Sequence, residues 1–141
     1  MKVAFMKEAK KSGSEQLLLT AAVSAGKHTI DQSYNVPSLG KNFDLLFLMS
    51  YDLHGSWENN VDLHAKLRPT KGETSGIGIF NTEFAAKYWV SNGMPKQKII
   101  IGIPTYGRGW TLRNPSETKI GAEGLRPSSP STTNPAGGTA A

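Results

Sequence analysis

Three apolar runs that each break abruptly into polar, aromatic loops constrain this chain more than any other feature. The plainest runs from Lys98 to Trp110, where Ile99, Ile100, Ile101 and Ile103 form a β-branched strand that Pro104 stops. Such a run without polar alternation is expected of a parallel strand covered on both faces. Tyr106, Arg108 and Trp110 follow at once. Polar and aromatic residues at the carboxyl end of such a strand read as a site more readily than as packing, although an ordinary surface loop is the competing reading. Leu17 to Val23 ends likewise in Ser24-Ala-Gly26, and Leu45 to Met49 runs straight into Ser50-Tyr-Asp-Leu-His-Gly-Ser-Trp-Glu58.

Helical patterns alternate with these strands. Val3 to Lys10 is amphipathic, and Thr82 to Ser91 places Phe84, Ala85, Tyr88 and Trp89 on one stripe, with Asn81 suited to an N-cap and Gly93 to a stop. Between the first two strands, Thr29 to Ser33 and Ser38 to Lys41 read as short helices around Pro37. Alternation of this kind implies an α/β fold with a parallel sheet. Yet only three strands are visible before Arg113, and three parallel strands leave two open edges and uncovered faces. The expectation is a part of a larger barrel. Residues 114–141 change character to Pro, Ser, Thr, Gly and Ala, and read as loop or disorder. The other long irregular stretch, Asp52 to Phe80, starts at a strand end and carries Trp57 and Glu58, as functional loops do.

Charge excludes more than it suggests. Sixteen Lys and Arg against eleven Asp and Glu give a net +5, but the basic residues are scattered without the aromatic interleaving that single-stranded nucleic acid requires. Nucleic acid is therefore not an expected partner. His28, His54 and His64 lack metal-ligand spacing and read as surface or hydrogen-bonding histidines, so no metal is expected. Met1 leads into a helix and not into a secretory signal, and no run is long enough to span a membrane.

Together these motifs resemble the catalytic domain of the chitinases and chitinase-like proteins of glycoside hydrolase family 18, especially its animal members. Residues 17–26 are similar to that family's fifth barrel strand, Met49 to Glu58 to its sixth and Ile101 to Arg108 to its seventh. The resemblance implies an incomplete TIM (β/α)8 barrel, roughly strands five to seven with flanking helices, over residues 1–113. Residues 114–141 would begin a truncated insertion, with Ile120-Gly-Ala122 its approach, or be disordered.

The resemblance also implies a substrate and a chemistry. Members cleave β-1,4-linked N-acetylglucosamine polymers with substrate assistance: the sugar's own N-acetyl oxygen attacks the anomeric carbon once a Glu protonates the leaving oxygen. Tyr51 matches the tyrosine that holds the N-acetyl group. Asp52 matches a residue accepting hydrogen bonds from sugar; Tyr106 and Arg108 match donors that reach it. Met49 matches a cleft residue but reads equally as core, and Trp57 can stack on a pyranose ring or anchor its loop. Chitin or its oligosaccharides are the implied partner, no cofactor is implied, and the parent protein is expected outside the cell.

Two departures stand out. Asn59 to Leu67 replaces the family's usual Gly-His-His-like turn before Pro-Leu, and Gly109-Trp110 stands where a bulky or polar residue followed by Phe is common. The family's proton donor closes an Asp-Trp-Glu run that this chain does not contain; Glu8, Glu15, Glu58, Glu73, Glu83, Glu117 and Glu123 all sit in other contexts. Two functions are thus open for the parent: a chitinase, or a chitin-binding lectin or matrix protein without the acid. The chain by itself is expected to be inactive.

Overall fold

A computed structural model describes residues 1–70, 73, 76–130 and 138–140. They form two compact units, the first made of residues 1–49 and 85–102, the second of 50–84 and 103–141.

The first unit is built on a parallel sheet. Strands β1 (Thr20–Ser24), β2 (Leu45–Met49) and β3 (Ile99–Ile101) lie in the order β1-β2-β3. Thr20 pairs with Leu45 and Ser24 with Met49; Leu46 pairs with Ile99 and Leu48 with Ile101. Helices α1 (Lys2–Ser12), α2 (Lys27–Ser33) and α3 (Val36–Asn42) precede β2. Helix α4 (Thr82–Ser91) precedes β3. Ile30, Leu46, Leu48, Trp89 and Met94 are fully buried. Trp89 packs on the Tyr34 ring at 5.2 Å and donates its indole N–H to the Ser24 carbonyl at 2.9 Å, so even this large core side chain keeps its polar atom satisfied. Gly93 closes α4 at φ +103°, a conformation that side chains with a Cβ rarely adopt.

Local signals explain the helix ends. Asn35 accepts the Ser38 N–H at 3.1 Å as the N-cap of α3, with Pro37 in the first turn, where its missing N–H costs nothing. At the other end the Lys98 ammonium donates to the Gly40 and Phe43 carbonyls, both at 2.7 Å, satisfying acceptors that a helix terminus leaves open. Asp44 exchanges hydrogen bonds with the Leu19 backbone and accepts one from Lys2, which sets where β1 begins.

Sheet boundaries are tighter than the apolar runs suggest. Leu17 and Leu18 lie outside β1 and are 58% and 65% exposed, because pairing starts only at Thr20 opposite Leu45. β3 ends at Ile101, after which the Gly102 N–H still reaches the Leu48 carbonyl at 2.8 Å. Phe47, Ile100 and Ile101 are exposed, as expected where three parallel strands form only part of a barrel. Helix α1 likewise buries none of its residues.

In the second unit, β4 (Gly107–Arg108) pairs antiparallel with β7 (Thr139–Ala140), and β5 (Trp110–Leu112) pairs with β6 (Gly124–Pro127). The stretch expected to be loop or disorder from residue 114 therefore contains ordered strand. The correction has a physical basis in hydrogen bonding: Arg113 N–H bonds the Glu123 carbonyl, Val61 N–H the Ala122 carbonyl and Gly121 N–H the Val61 carbonyl. These bonds tie a Gly- and Ser-rich segment to neighbours that composition cannot see. Residues 131–137 and 141 of that stretch lie outside the described residues.

Leu46 is wholly buried in the central strand, so Leu46→Ala is expected to destabilise the chain by about 2–5 kcal/mol. A lowered urea midpoint with an unchanged slope would show it, and an unchanged midpoint would contradict the assignment of this core.

Candidate functional site

Within the second unit, a carboxylate gathers two side chains from one distant segment. Asp52 Oδ1 accepts the Tyr106 hydroxyl at 2.6 Å and the Arg108 guanidinium at 2.9 Å from Nε and 2.8 Å from Nη2. The partners are 54 and 56 residues away in sequence. Asp52 itself adopts φ +56°, the left-handed region that non-glycine residues seldom occupy and that clusters at functional positions.

Electrostatics follow from this geometry. Burial alone would raise the Asp52 pKa, but hydrogen bonds from Tyr106 and Arg108 outweigh it and hold the carboxyl below its ordinary value. Burial and the neighbouring carboxylate push the Tyr106 phenol up to about 12. Across the working range, Asp52 is an acceptor held ionised and Tyr106 a donor held protonated.

Aromatic surface surrounds the cluster. The Tyr51 ring meets Tyr106 edge-on at 6.1 Å, and the Arg108 guanidinium lies 5.4 Å from the Trp57 ring centre. Trp57 is 60% exposed and folds back over Gly55, where an added Cβ would lie 2.2 Å from the indole. Any side chain at position 55 would evict Trp57 from this pose. Its exposed face and its packing over Gly55 fit both readings of Trp57, a stacking platform and a loop anchor. Tyr51, Asp52, Trp57, Tyr106 and Arg108 thus all fall in one unit; Met49 belongs to the other, where it ends β2 half-buried.

Two histidines and a lysine in the same unit went unread as site features. His64 Nδ1 accepts the Asp52 backbone N–H at 3.2 Å, and its Nε2 lies 3.0 Å from the Tyr106 carbonyl. His54 is buried, with Nδ1 2.9 Å from Glu58 and Nε2 3.5 Å from Asp62. A carboxylate can only accept, so the Glu58 contact places the His54 proton on Nδ1. Lys66 is buried between Asp62, at 2.7 Å, and Glu73. The one sequence signal for these residues was their density in a long loop after a strand. Among the described residues, no group of three His, Cys, Asp or Glu could hold a metal ion, and no helix is long and apolar enough to cross a membrane.

Comparison with known proteins gives this arrangement a context. The model of the family described as Glycosyl hydrolases family 18 matches residues 1–140, including the stretch after Arg113. An endochitinase of Brugia malayi is 80% identical over 140 residues, which are 99% of this chain and 28% of that protein. The immunomodulatory active chitinase of Trichuris suis superposes with a TM-score of 0.90 at 42% identity, over 98% of this chain and 38% of that one. Human YKL-39, a pseudo-chitinase with retained chitooligosaccharide binding properties, superposes at 0.91 with 40% identity over the same shares, 98% and 38%. The chain therefore spans less than two fifths of these relatives. Its architecture is an incomplete (β/α)8 barrel, roughly strands five to seven with flanking helices.

Replacing Asp52 by Asn keeps a residue that tolerates positive φ and removes the charge. Asp52→Asn is expected to lower the Tyr106 pKa from about 12 toward the ordinary 10, read as tyrosinate absorbance against pH with Tyr106→Phe as the blank. An unmoved titration would mean that burial alone sets the Tyr106 value.

Proposed function

Given that this chain belongs to family 18 of the glycosyl hydrolases, we propose that it forms part of the sugar-binding cleft of a chitinase-type protein acting on β-1,4-linked N-acetylglucosamine polymers. The observation that carries the reading is the convergence of Tyr106 and Arg108 on Asp52 beside the exposed Trp57. The cluster offers an ionised acceptor, a phenol donor and a guanidinium next to a flat aromatic face, the set of groups that a sugar with hydroxyl and acetamido substituents can satisfy.

In substrate-assisted hydrolysis the acetamido oxygen attacks the anomeric carbon as the glycosidic bond breaks, and the leaving oxygen takes a proton from an acid. Tyr51 is the residue proposed to hold the acetamido group in attacking position by a hydrogen bond. Contacts that strengthen in the transition state are commonly worth about a hundredfold to a thousandfold in rate. Asp52, Tyr106 and Arg108 hold the sugar, and Trp57 stacks on a ring. None of the chain's Glu residues occupies the Asp-Trp-Glu context of the donor, so these residues orient a substrate without protonating its leaving group.

The parent protein is proposed to work outside the cell, with residues 1–113 as barrel and 114–141 opening an insertion. A second reading, a lectin that binds chitooligosaccharides without cleaving them, is favoured by the likeness to the human pseudo-chitinase. The residue at the donor position of the parent protein separates the two.

Calorimetric titration of the 141-residue chain with N-acetylchitotetraose is expected to show saturable binding, weakened about tenfold, or about 1.4 kcal/mol, by Trp57→Ala. A reducing-end assay should show no turnover. Absence of binding would sink the cleft assignment, and turnover would overturn the claim that the acid is missing.

A further inference from the structure

We infer that His64 is a positioning residue for the Asp52 cluster, acting only as the neutral imidazole with its proton on Nε2. Its partners fix that state. The Asp52 backbone N–H is a donor 3.2 Å from Nδ1, so Nδ1 must present its lone pair. The Tyr106 carbonyl is an acceptor 3.0 Å from Nε2, so Nε2 must carry the hydrogen. The other neutral tautomer loses both bonds. The imidazolium keeps the bond to Tyr106 but turns an N–H toward the Asp52 N–H.

His64 thereby joins the two segments whose side chains meet at Asp52. Its ring lies over the Tyr106 ring at 5.0 Å and 32°, and its own carbonyl accepts the Leu53 N–H at 2.9 Å. The backbone of Asp52, left-handed at φ +56°, is thus held on its N–H by His64 and on its carboxylate by Tyr106 and Arg108. A sparsely populated conformation persists where the surroundings over-determine it, and His64 supplies the constraint that side-chain contacts to the carboxylate cannot.

Protonation would redirect this arrangement. The Asp52 carboxylate is 3.5 Å from Nδ1, so an imidazolium would compete with Tyr106 and Arg108 for the same oxygen. Among the described residues, Asp52 and Tyr106 are the titratable groups that the structure sets against His64 from other segments. On its own segment, Asp62 and Lys66 are engaged with each other. Sugar binding should therefore weaken as His64 takes up a proton.

What the cluster binds rests on the reading above; that His64 positions it does not, and the two are measured separately. Three variants divide the contacts: His64→Asn keeps an acceptor near the Nδ1 position, His64→Gln keeps a donor near Nε2, and His64→Ala keeps neither. His64→Ala is expected to weaken N-acetylchitotetraose binding about tenfold, with His64→Asn restoring most of it and His64→Gln little. The loss of affinity on acidification should vanish in His64→Asn. Without any sugar, His64→Ala should bring the Tyr106 titration down from about 12. Imidazole 15N resonances of the unmodified chain should show Nδ1 bare and Nε2 protonated at neutral pH.

Wild-type affinity and an unmoved Tyr106 titration in His64→Ala would overturn the inference, as would an Nδ1-protonated neutral ring. If the unmodified chain fails to bind the sugar, the cleft reading falls while the Tyr106 titration still decides the role of His64. If His64→Ala does not melt cooperatively, the tautomer and the Asn and Gln variants decide it.

Discussion

A lysine ammonium taken out of water organises the second unit. Lys66 is 5% exposed, and an isolated charge at that depth would be untenable. Burial alone would lower its pKa, but the hydrogen bonds it donates to Asp62 and Glu73 outweigh that and hold it above the ordinary lysine value. The same bond holds the Asp62 carboxyl below its usual range against the opposing effect of burial. Removing either carboxylate would leave the buried ammonium with one partner in place of two. The main chain around Lys66 then does further work. The carbonyls of Lys66 and Leu67 accept the N–H groups of Thr82 and Glu83, two of the donors that every helix start leaves open, and Asn81 Oδ1 accepts a third from Phe84. Two residues before Lys66 lies His64, whose carbonyl holds Leu53 beside Asp52.

The sequence made the skeleton legible where one residue type has one common use. Consecutive β-branched or leucine residues ending in Pro or polar aromatics mark parallel strands, and all three strands read this way are present. Asn81 before an apolar stripe and Gly93 after it bracket α4 as a cap and a left-handed stop should. Strand ends were less legible, because pairing and not hydropathy decides them: Leu17 and Leu18 are as apolar as Leu45 and Leu46 but have no partner across the sheet.

Part of the candidate cluster was legible because Tyr51, Asp52, Trp57, Tyr106 and Arg108 follow strand ends within motifs that the chain shares with its family. His64 and Lys66 were not. A histidine scanned for metal spacing is discarded when its partners are a backbone N–H and a carbonyl, since main-chain groups leave no trace in sequence. A lysine in a polar loop looks like any solvated lysine until its two carboxylates, four residues before and seven residues after it, are found in contact. The ordered stretch after Arg113 was hidden for the same reason, being held mainly by backbone bonds to Asn59, Val61 and Gly109.

The division of the chain has a kinetic side. Each compact unit is made of two separate stretches, so the polypeptide leaves and re-enters each of them. The Asp52 cluster closes a loop of more than fifty residues, and that loop contains the core residues Ala85 and Trp89 of the other unit. Loop closure over that span is an entropic cost that local turns and helices avoid, and non-local contacts of this kind slow folding. On a ribosome, Asp52 emerges long before Tyr106 and Arg108 and waits through the synthesis of α4 and β3. The Asp52 cluster therefore assembles only after α4 and β3 have been made.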